Sequence, residues 1–247
     1  MDKSPCLQKD TWLSSQIGRP CFTIKGINES SSELAELGAE FSALVQKHSQ
    51  EGIFAYTKIP TKKTYHIAPL QEMGFILVDT NVQFKRELGN TLNEGIEYSA
   101  FKVRWAKDAD RAVLNEIAEK SFAFSRFHLD PTISNQTANN IKRSWVNNFF
   151  KGERGDRMVV GEIDGKPAGF IQILEREDHF IIDLIAVDNR YQKRGVAGRM
   201  MEFSFKHYKD LAYCLVGTQI SNIPSINLYL KYGFKFHNSK YVFHFNR

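Results

Sequence analysis

The chain has 247 residues, of which 42% are hydrophobic and 25% are charged, values that exclude wholesale disorder and indicate a globular protein. Its net charge of +5 is mildly basic and favours an anionic ligand. The longest apolar run in its C-terminal half, Phe180–Val187, contains an aspartate and is far shorter than the roughly twenty residues that span a membrane. The N-terminus shows no apolar signal segment, so we expect a cytoplasmic protein. The three scattered cysteines fit neither a disulfide framework nor a zinc site.

The N-terminal region repeats the pattern of the C-terminus. A gapless alignment of residues 54–85 with residues 213–244 places Gly74-Phe75 on Gly233-Phe234 and repeats the order strand, loop, short helix, Gly-Phe, hairpin. We therefore interpret residues 1–97 as a degenerate half-copy of the fold formed by residues 98–247. A polar, turn-rich stretch at residues 88–98 predicts the linker between the two domains.

Strands and helices alternate in the predicted C-terminal domain. Asp164-Gly165 between two apolar runs is a strong hairpin signal, and the nearly continuous apolar run 180–187 predicts a strand that is buried on both faces. The predicted strands are 101–105, 158–163, 169–174, 180–187, 213–217 and 241–245, and the predicted helices are 110–123, 139–150, 195–209 and 224–231.

The most informative segment is residues 183–201, where a buried strand ends, a polar turn follows and an amphipathic helix begins. Gly195 and Ala197 leave backbone N–H groups uncovered at the helix start, which together with the helix dipole favours phosphate oxygens. Lys193, Arg194 and Arg199 add positive charge. The alternative interpretation is an ordinary helix N-terminus with a solvated basic face.

Two motifs in the C-terminal half resemble those of the GNAT superfamily of acyl-CoA-dependent N-acyltransferases. Gln192, Gly195 and Ala197 fit the phosphate-loop pattern [Q/R]-x-x-G-x-[G/A]. The second motif, N-x-x-[A/S]-I-x-L-Y-x-K-x-G-F, is matched at the expected spacing by Asn222, Ser225, Ile226, Leu228, Tyr229, Lys231, Gly233 and Phe234. The resemblance implies an α/β (α+β) GNAT fold, in which a mixed, mostly antiparallel sheet is flanked by helices and a degenerate GNAT-like half-domain precedes it.

The resemblance also implies residue roles and a substrate. Acyl-CoA is the expected co-substrate, and no metal is implied. The CoA diphosphate is expected to bind the phosphate loop, and the pantetheine is expected to lie along the strand before it. This strand is expected to splay from its neighbour. Asn222 and Ser225 are expected to lie beside the acyl group. Tyr229 is expected to protonate the leaving thiolate, because a phenol is protonated at neutral pH; the alternative is a core tyrosine. The expected CoA-binding residues are Ile185, Ala186, Val187, Gln192, Lys193, Arg194, Gly195, Val196, Ala197, Asn222 and Ser225.

Asp183 lies alone in an apolar strand, where a carboxylate is costly unless it is paired or protonated. One interpretation makes it a catalytic base that acts through water, facing the cleft because it shares strand parity with Ile185 and Val187. The other makes it a structural aspartate near a strand bulge.

The whole chain resembles the sugar-nucleotide branch of this superfamily, typified by the dTDP-fucosamine acetyltransferases. Three features support this resemblance: the N-terminal half-copy, the opening segment Asp10–Gly18 and the segment Ser121–Pro131. In the opening segment, the usual order of Trp and Asp-Ser is reversed. This segment is expected beside the acyl slot. Arg126 there is suited to a phosphate, Phe124 or Phe127 to stacking on a thymine ring, and His128 to a sugar hydroxyl or a proton transfer. The alternative is a buried aromatic loop.

These features predict a single active site per chain, because the half-copy has Leu70 in place of Tyr229 and Lys63 in place of Asn222. The predicted reaction moves an acetyl or longer acyl group, such as hydroxybutyryl, from CoA to the amine of a dTDP-linked 3- or 4-amino-dideoxy sugar for surface polysaccharide (lipopolysaccharide O-antigen) synthesis. The resemblance implies a homodimer, and neither nucleic acid nor membrane is an expected partner. The alternative is a GNAT enzyme that acts on a protein amine or an aminoglycoside-type molecule.

Overall fold

The computed structural model describes residues 6–27, 31–89 and 101–247, with the backbone alone for residues 6 and 31–34. It divides into two compact units. The first comprises Met1–Asn81, Arg126–Thr137 and Asn238–Arg247, and the second comprises Val82–Ser125 and Ala138–His237. The predicted boundary between residues 97 and 98, and all of the predicted linker beyond Gly89, lie outside the described residues, so both stay predictions.

The first unit carries one sheet among its described residues, in which β1 pairs antiparallel with β2, β2 pairs parallel with β3, and β3 pairs antiparallel with the C-terminal strand β10. Its core contains Phe41, Phe75 and Phe245, whose rings pack at 4.8–5.6 Å between centroids. Its elements are β1 (Cys6–Lys9), α1 (Thr11–Ile17), β2 (Cys21–Lys25), α2 (Ser31–Lys47), β3 (Phe54–Pro60), α3 (Ile67–Glu72), the start of β4 (Ile76–Glu87) and the end of β10 (Lys235–Asn246).

The second unit is built on strands in the order β4-β9-β8-β7-β6-β5. Pairing is antiparallel from β5 through β8 and parallel between β8 and β9. Its further elements are β5 (Phe101–Trp105), α4 (Arg111–Ser121), α5 (Asn135–Phe150), β6 (Arg157–Ile163), β7 (Lys166–Glu175), β8 (His179–Val187), α6 (Val196–His207), β9 (Tyr213–Gln219) and α7 (Ile223–Lys231). The predicted hairpin at Asp164-Gly165 is confirmed, with both residues at positive φ. The mostly antiparallel α/β fold is likewise confirmed.

Helices cover both faces of this second sheet. Neighbouring residues on one strand point to opposite faces, and Val159 belongs to the core that contains α6, whereas Val160 belongs to the core that contains α4 and Val146 of α5. Helix α6 therefore packs on one face of the sheet, and α4 and α5 pack on the other.

The alignment of residues 54–85 with residues 213–244 places strands on strands that begin and end at equivalent positions. Strand β3 falls on β9, and β4 falls on β10, with both bounds of each pair coinciding. Gly74 and Gly233 both adopt a left-handed φ, +88° and +77°, after their short helices. The last strands of the two copies are exchanged, because β3 pairs with β10 and β9 neighbours β4.

Candidate active site

Strands β8 and β9 separate towards their C-terminal ends. Their parallel pairing runs from His179–Tyr213 to Ile182–Val216, whereas β8 continues to Val187 and β9 continues to Gln219. The expected splay is therefore present, and it opens one edge of the segment that contains Ile185, Ala186 and Val187. Alternate residues of β8 are only half-buried, so the prediction of a strand buried on both faces is wrong.

The turn after β8 is closed by local hydrogen bonds. The side-chain Nε2 of Gln192 donates to the backbone carbonyl of Val187 at 3.2 Å and to Asn189 Oδ1 at 2.8 Å. Lys193 and Gly195 then adopt left-handed backbone angles, with φ of +61° and +85°. These two residues turn the chain so that α6 begins at Val196, and a side chain at position 195 would be strained there.

The start of α6 is suited to an anion. Its first backbone N–H groups, those of Val196 and Ala197, lack acceptors within the helix and lie at the positive end of the helix dipole. The side chains of Lys193 and Arg194 are exposed beside them. Gly198 allows close packing one step later, because a Cβ there would lie 1.8 Å from the Tyr232 hydroxyl.

Asn222, Ser225 and Tyr229 lie together at the end of β9 and on α7. Asn222 caps the helix, since its Oδ1 accepts from the Ser225 N–H at 3.3 Å and its Nδ2 donates to Thr218 Oγ1 at 3.0 Å. Tyr229 is 2% exposed. Burial raises the pKa of its phenol well above the usual value, although the Ser225 side chain acts in the opposite direction. The phenol is therefore a protonated donor over the whole physiological range.

Asp183 does not have the strand parity that the sequence suggested. Gln172 of β7 faces Leu184, and Ile173 faces Ile182, so Asp183 is the extra residue of a β-bulge. The bulge changes the alternation of side chains along β8. Residues before and after it cannot be assigned to faces by simple counting, and the expectation that Asp183 points with Ile185 and Val187 is wrong.

The carboxylate of Asp183 accepts four hydrogen bonds. Arg154 donates to it twice, from Nη2 to Oδ1 at 2.6 Å and from Nε to Oδ2 at 2.8 Å. Trp145 Nε1 and Gln172 Nε2 each donate to Oδ2 at 3.1 Å. A carboxylate that already accepts four hydrogen bonds and has 9% side-chain exposure has little acceptor capacity left for a substrate proton. These contacts favour the structural interpretation of Asp183 over the catalytic one.

The segment that contains Arg126 lies mostly in the first unit. The Arg126 guanidinium is 3.9 Å from the ring centre of Tyr56, and its Nη1 is 3.3 Å from His244 Nε2. Tyr56 donates its hydroxyl to Asp10 at 2.9 Å, and Asp10 caps α1 through the Leu13 N–H. The two segments that carried the sugar-nucleotide resemblance therefore meet in one network of the first unit.

The aromatic residues of this segment differ in exposure. Phe127 is 1% exposed, so its ring has no free face for a base, and its predicted stacking role is wrong. Phe124, in the second unit, is 37% exposed and retains a face for stacking. His128 is half-buried in the first unit.

Three of these network residues were missed by the sequence analysis. Arg154 follows α5 in a glycine-rich turn, and Trp145 lies on α5, but their partner Asp183 is far along the chain. His244 of β10 pairs with Asp130 at 2.6 Å, again across a long separation. The lone Asp183 in an apolar strand was the one signal that a charged partner had to exist.

The separated strands and the glycine loop at the start of α6 have the arrangement that the resemblance to the GNAT superfamily predicted. The acetyltransferase (GNAT) family model matches residues 113–234. The chain therefore contains an acetyltransferase domain of the GNAT family. In the part of the chain that the structure describes, no helix is long and apolar enough to cross a membrane.

Two curated proteins are similar in sequence. The spore coat polysaccharide biosynthesis protein SpsD of Bacillus subtilis is 30% identical over 146 residues, which span 58% of this chain and half the length of SpsD. The dTDP-fucosamine acetyltransferase of Escherichia coli O6:H1 is 22% identical over 190 residues, 74% of this chain and 78% of that protein.

Solved structures share the fold at low identity. A GCN5-related N-acetyltransferase from Sphaerobacter thermophilus has a TM-score of 0.69 at 10% identity, covering 98% of this chain and 76% of that one. A tandem GNAT protein from the clavulanic acid biosynthesis pathway has a TM-score of 0.64 at 10% identity, covering 100% of this chain and 84% of that one. The match to a tandem protein agrees with the half-copy at the N-terminus.

Proposed function

We propose that the protein transfers an acyl group from acyl-CoA to the amine of a dTDP-linked 3- or 4-amino-dideoxy sugar used in surface polysaccharide synthesis. The acyl group is acetyl or a longer one such as hydroxybutyryl. The observation that carries the transferase part is the separation of β8 from β9 beside the phosphate-binding start of α6, with Tyr229 on the adjoining helix. We further propose that it acts as a homodimer in the cytoplasm.

Acyl-CoA binding follows from that arrangement. The diphosphate is held by the N–H groups of residues 193–197 and by the charges of Lys193 and Arg194. The pantetheine extends along the open edge of residues 185–187, where backbone groups no longer pair with β9. Asn222 and Ser225 then border the thioester.

The chemistry is direct transfer. The neutral amine attacks the thioester carbonyl, a tetrahedral intermediate forms, and the C–S bond breaks as the Tyr229 phenol gives its proton to the departing sulfur. The attacking nitrogen loses one proton to solvent, and the Tyr229 phenolate takes one back from solvent, so the products are the amide and the free thiol. A protonated donor in a dry site costs no reorganisation when charge develops on sulfur. We assign Asp183 no role as a base, because its carboxyl oxygens already accept four hydrogen bonds from Arg154, Trp145 and Gln172.

The acceptor class is supported by the names of the two relatives and by the network around Arg126. Both relatives are named for polysaccharide synthesis or for acetylation of a dTDP sugar. Within the first unit, a guanidinium held on an aromatic ring and a histidine is suited to a phosphate of the nucleotide.

The test is release of free CoA thiol from acetyl-CoA in the presence of dTDP-linked 3- and 4-amino-dideoxy sugars. A peptide with a free lysine amine and an aminoglycoside serve as the competing acceptors. We expect turnover with one of the nucleotide sugars and background rates with the other amines. Turnover with the peptide or the aminoglycoside alone would instead assign the GNAT domain to one of those acceptor classes.

A further inference from the structure

Arg154 is held in one orientation by two partners, the carboxylate of Asp183 and the ring of Trp145. Its Nε and Nη2 atoms form a fork on the Asp183 carboxylate at 2.8 and 2.6 Å. Its Cζ lies 4.6 Å from the centre of the Trp145 ring. Asp183 is itself fixed by Trp145 and by the fully buried Gln172. The guanidinium is thus a rigid group although 38% of the side chain is exposed.

This arrangement leaves three of the five N–H donors of Arg154 available. A guanidinium has five N–H groups, and Asp183 accepts from Nε and from one hydrogen of Nη2. The edge formed by Nη1 and the second hydrogen of Nη2 has no acceptor among the described residues. Two parallel donors on such an edge match two oxygens of a phosphate.

The local charge favours an anion. The buried ammonium of Lys142 lies 4.7 Å from the ring centres of both Trp145 and Phe122. Lys142 is thus a further cation in the cluster around Trp145. An oxyanion at the open edge of Arg154 would face a guanidinium whose carboxylate partner lies on its other edge.

The cluster lies on the opposite face of the second sheet from the loop that we assign to CoA. Trp145 packs against the core formed with α4 and α5, whereas Val196, at the start of α6, belongs to the core on the other face. One acyl-CoA molecule places its diphosphate on the α6 face of the sheet. We therefore assign an anion bound at Arg154, on the opposite face, to the second substrate.

We propose that Arg154 binds a phosphate group of the acceptor, a nucleoside diphosphate sugar, and that Asp183 positions it. The proposal rests on the proposed function and adds to it the residue that recognises the nucleotide diphosphate in the second unit. It also explains why an apolar strand carries an aspartate at its bulge: the carboxylate sets the direction of the guanidinium, and the stack on Trp145 prevents its rotation.

The experiment measures dTDP binding to the full-length protein by calorimetry, in the presence of saturating CoA so that the α6 loop is occupied. The variants are Arg154→Gln and Arg154→Lys, and the control is Arg143→Gln on α5, an exposed arginine that pairs with Glu119 at 3.2 Å. Arg154→Lys keeps a cation beside Asp183, so it preserves folding even where Arg154→Gln does not.

We expect Arg154→Gln to weaken dTDP binding at least about tenfold, as loss of a charge-assisted hydrogen-bond pair does. Arg154→Lys should weaken it by a smaller factor, since an ammonium supplies charge without the fork. CoA affinity should stay the same in both variants, and Arg143→Gln should behave as the wild type. Equal dTDP affinity in the wild type and both Arg154 variants overturns the proposal, as does absence of dTDP binding to the wild type.

Failure of the acceptor assignment gives a different pattern. Binding of dTDP through Arg154 without acetylation of any dTDP-amino sugar supports the nucleotide site and removes the proposed reaction. Acetylation of such a sugar with the same KM in the wild type and in Arg154→Lys supports the reaction and removes the role of Arg154.

Discussion

His244 provides a pH test of the network in the first unit. Its side chain is fully buried, its Nδ1 is 2.6 Å from Asp130 Oδ2, and its Nε2 is 3.3 Å from Arg126 Nη1. Because an arginine only donates, Nε2 accepts, and the neutral ring donates from Nδ1 to Asp130. Burial lowers the pKa of His244 to about 4, although the hydrogen bond to Asp130 opposes this change.

The sign of the resulting pH dependence follows from the two states. An unfolded histidine has a pKa near 6.5, so between this value and about 4 the unfolded chain binds a proton that the folded protein does not. The contribution of His244 to the free energy of unfolding is therefore fully present above pH 6.5 and is lost as the pH falls towards 4. Between pH 7 and pH 5 the loss is about 2 kcal/mol, or roughly 4–8 °C in Tm for a chain of this size.

The assay compares the wild type with His244→Gln. Glutamine cannot ionise, yet its amide can donate to Asp130 and accept from Arg126, so it imitates the neutral ring. Tm is measured at pH 7 and pH 5 for both proteins by circular dichroism. We expect the drop in Tm to be smaller in the variant by the amount given above. An identical drop in both proteins would refute the assignment of His244 as a buried neutral histidine.

Three further changes test other parts of the structure. Tyr229→Phe should lower kcat about 10²–10⁴-fold with little change in the KM for acetyl-CoA, as loss of a general acid does; an unchanged kcat would remove this role. Gly198→Ala brings a methyl group to 1.8 Å from the Tyr232 hydroxyl and should cost about 1–3 kcal/mol in urea unfolding, so an unchanged midpoint would contradict the packing. Arg126→Ala should raise the KM of the acceptor far more than that of acyl-CoA, and equal changes would count against the acceptor role.

Much of the second unit could be predicted because its signals are local. The glycine loop and the hairpin at Asp164-Gly165 each depend on residues a few positions apart, and both have the expected form. The half-copy was also visible, since Gly74 and Gly233 mark the same left-handed turn after each short helix.

The parts that could not be predicted depend on long-range contacts. The direction of Asp183 is set by a bulge, where one residue more or less in the pairing with β7 reverses the face of a side chain. Its partner Arg154, like the pair of Asp130 with His244, joins segments that nothing in a single sequence connects. The exchange of β4 and β10 between the two copies has the same cause, because either strand has the pattern to pair with β3 or with β9.

The most direct test of the central claim compares kcat/KM for a dTDP-linked amino-dideoxy sugar with that for the same amino sugar without its nucleotide, at saturating acetyl-CoA. The amine is identical in the two acceptors, so the ratio measures recognition of the nucleotide alone. We predict a ratio of at least about 10², the value of two charge-assisted contacts to the diphosphate. Equal values for the two acceptors, or turnover of neither alongside turnover of a protein amine, would contradict the account.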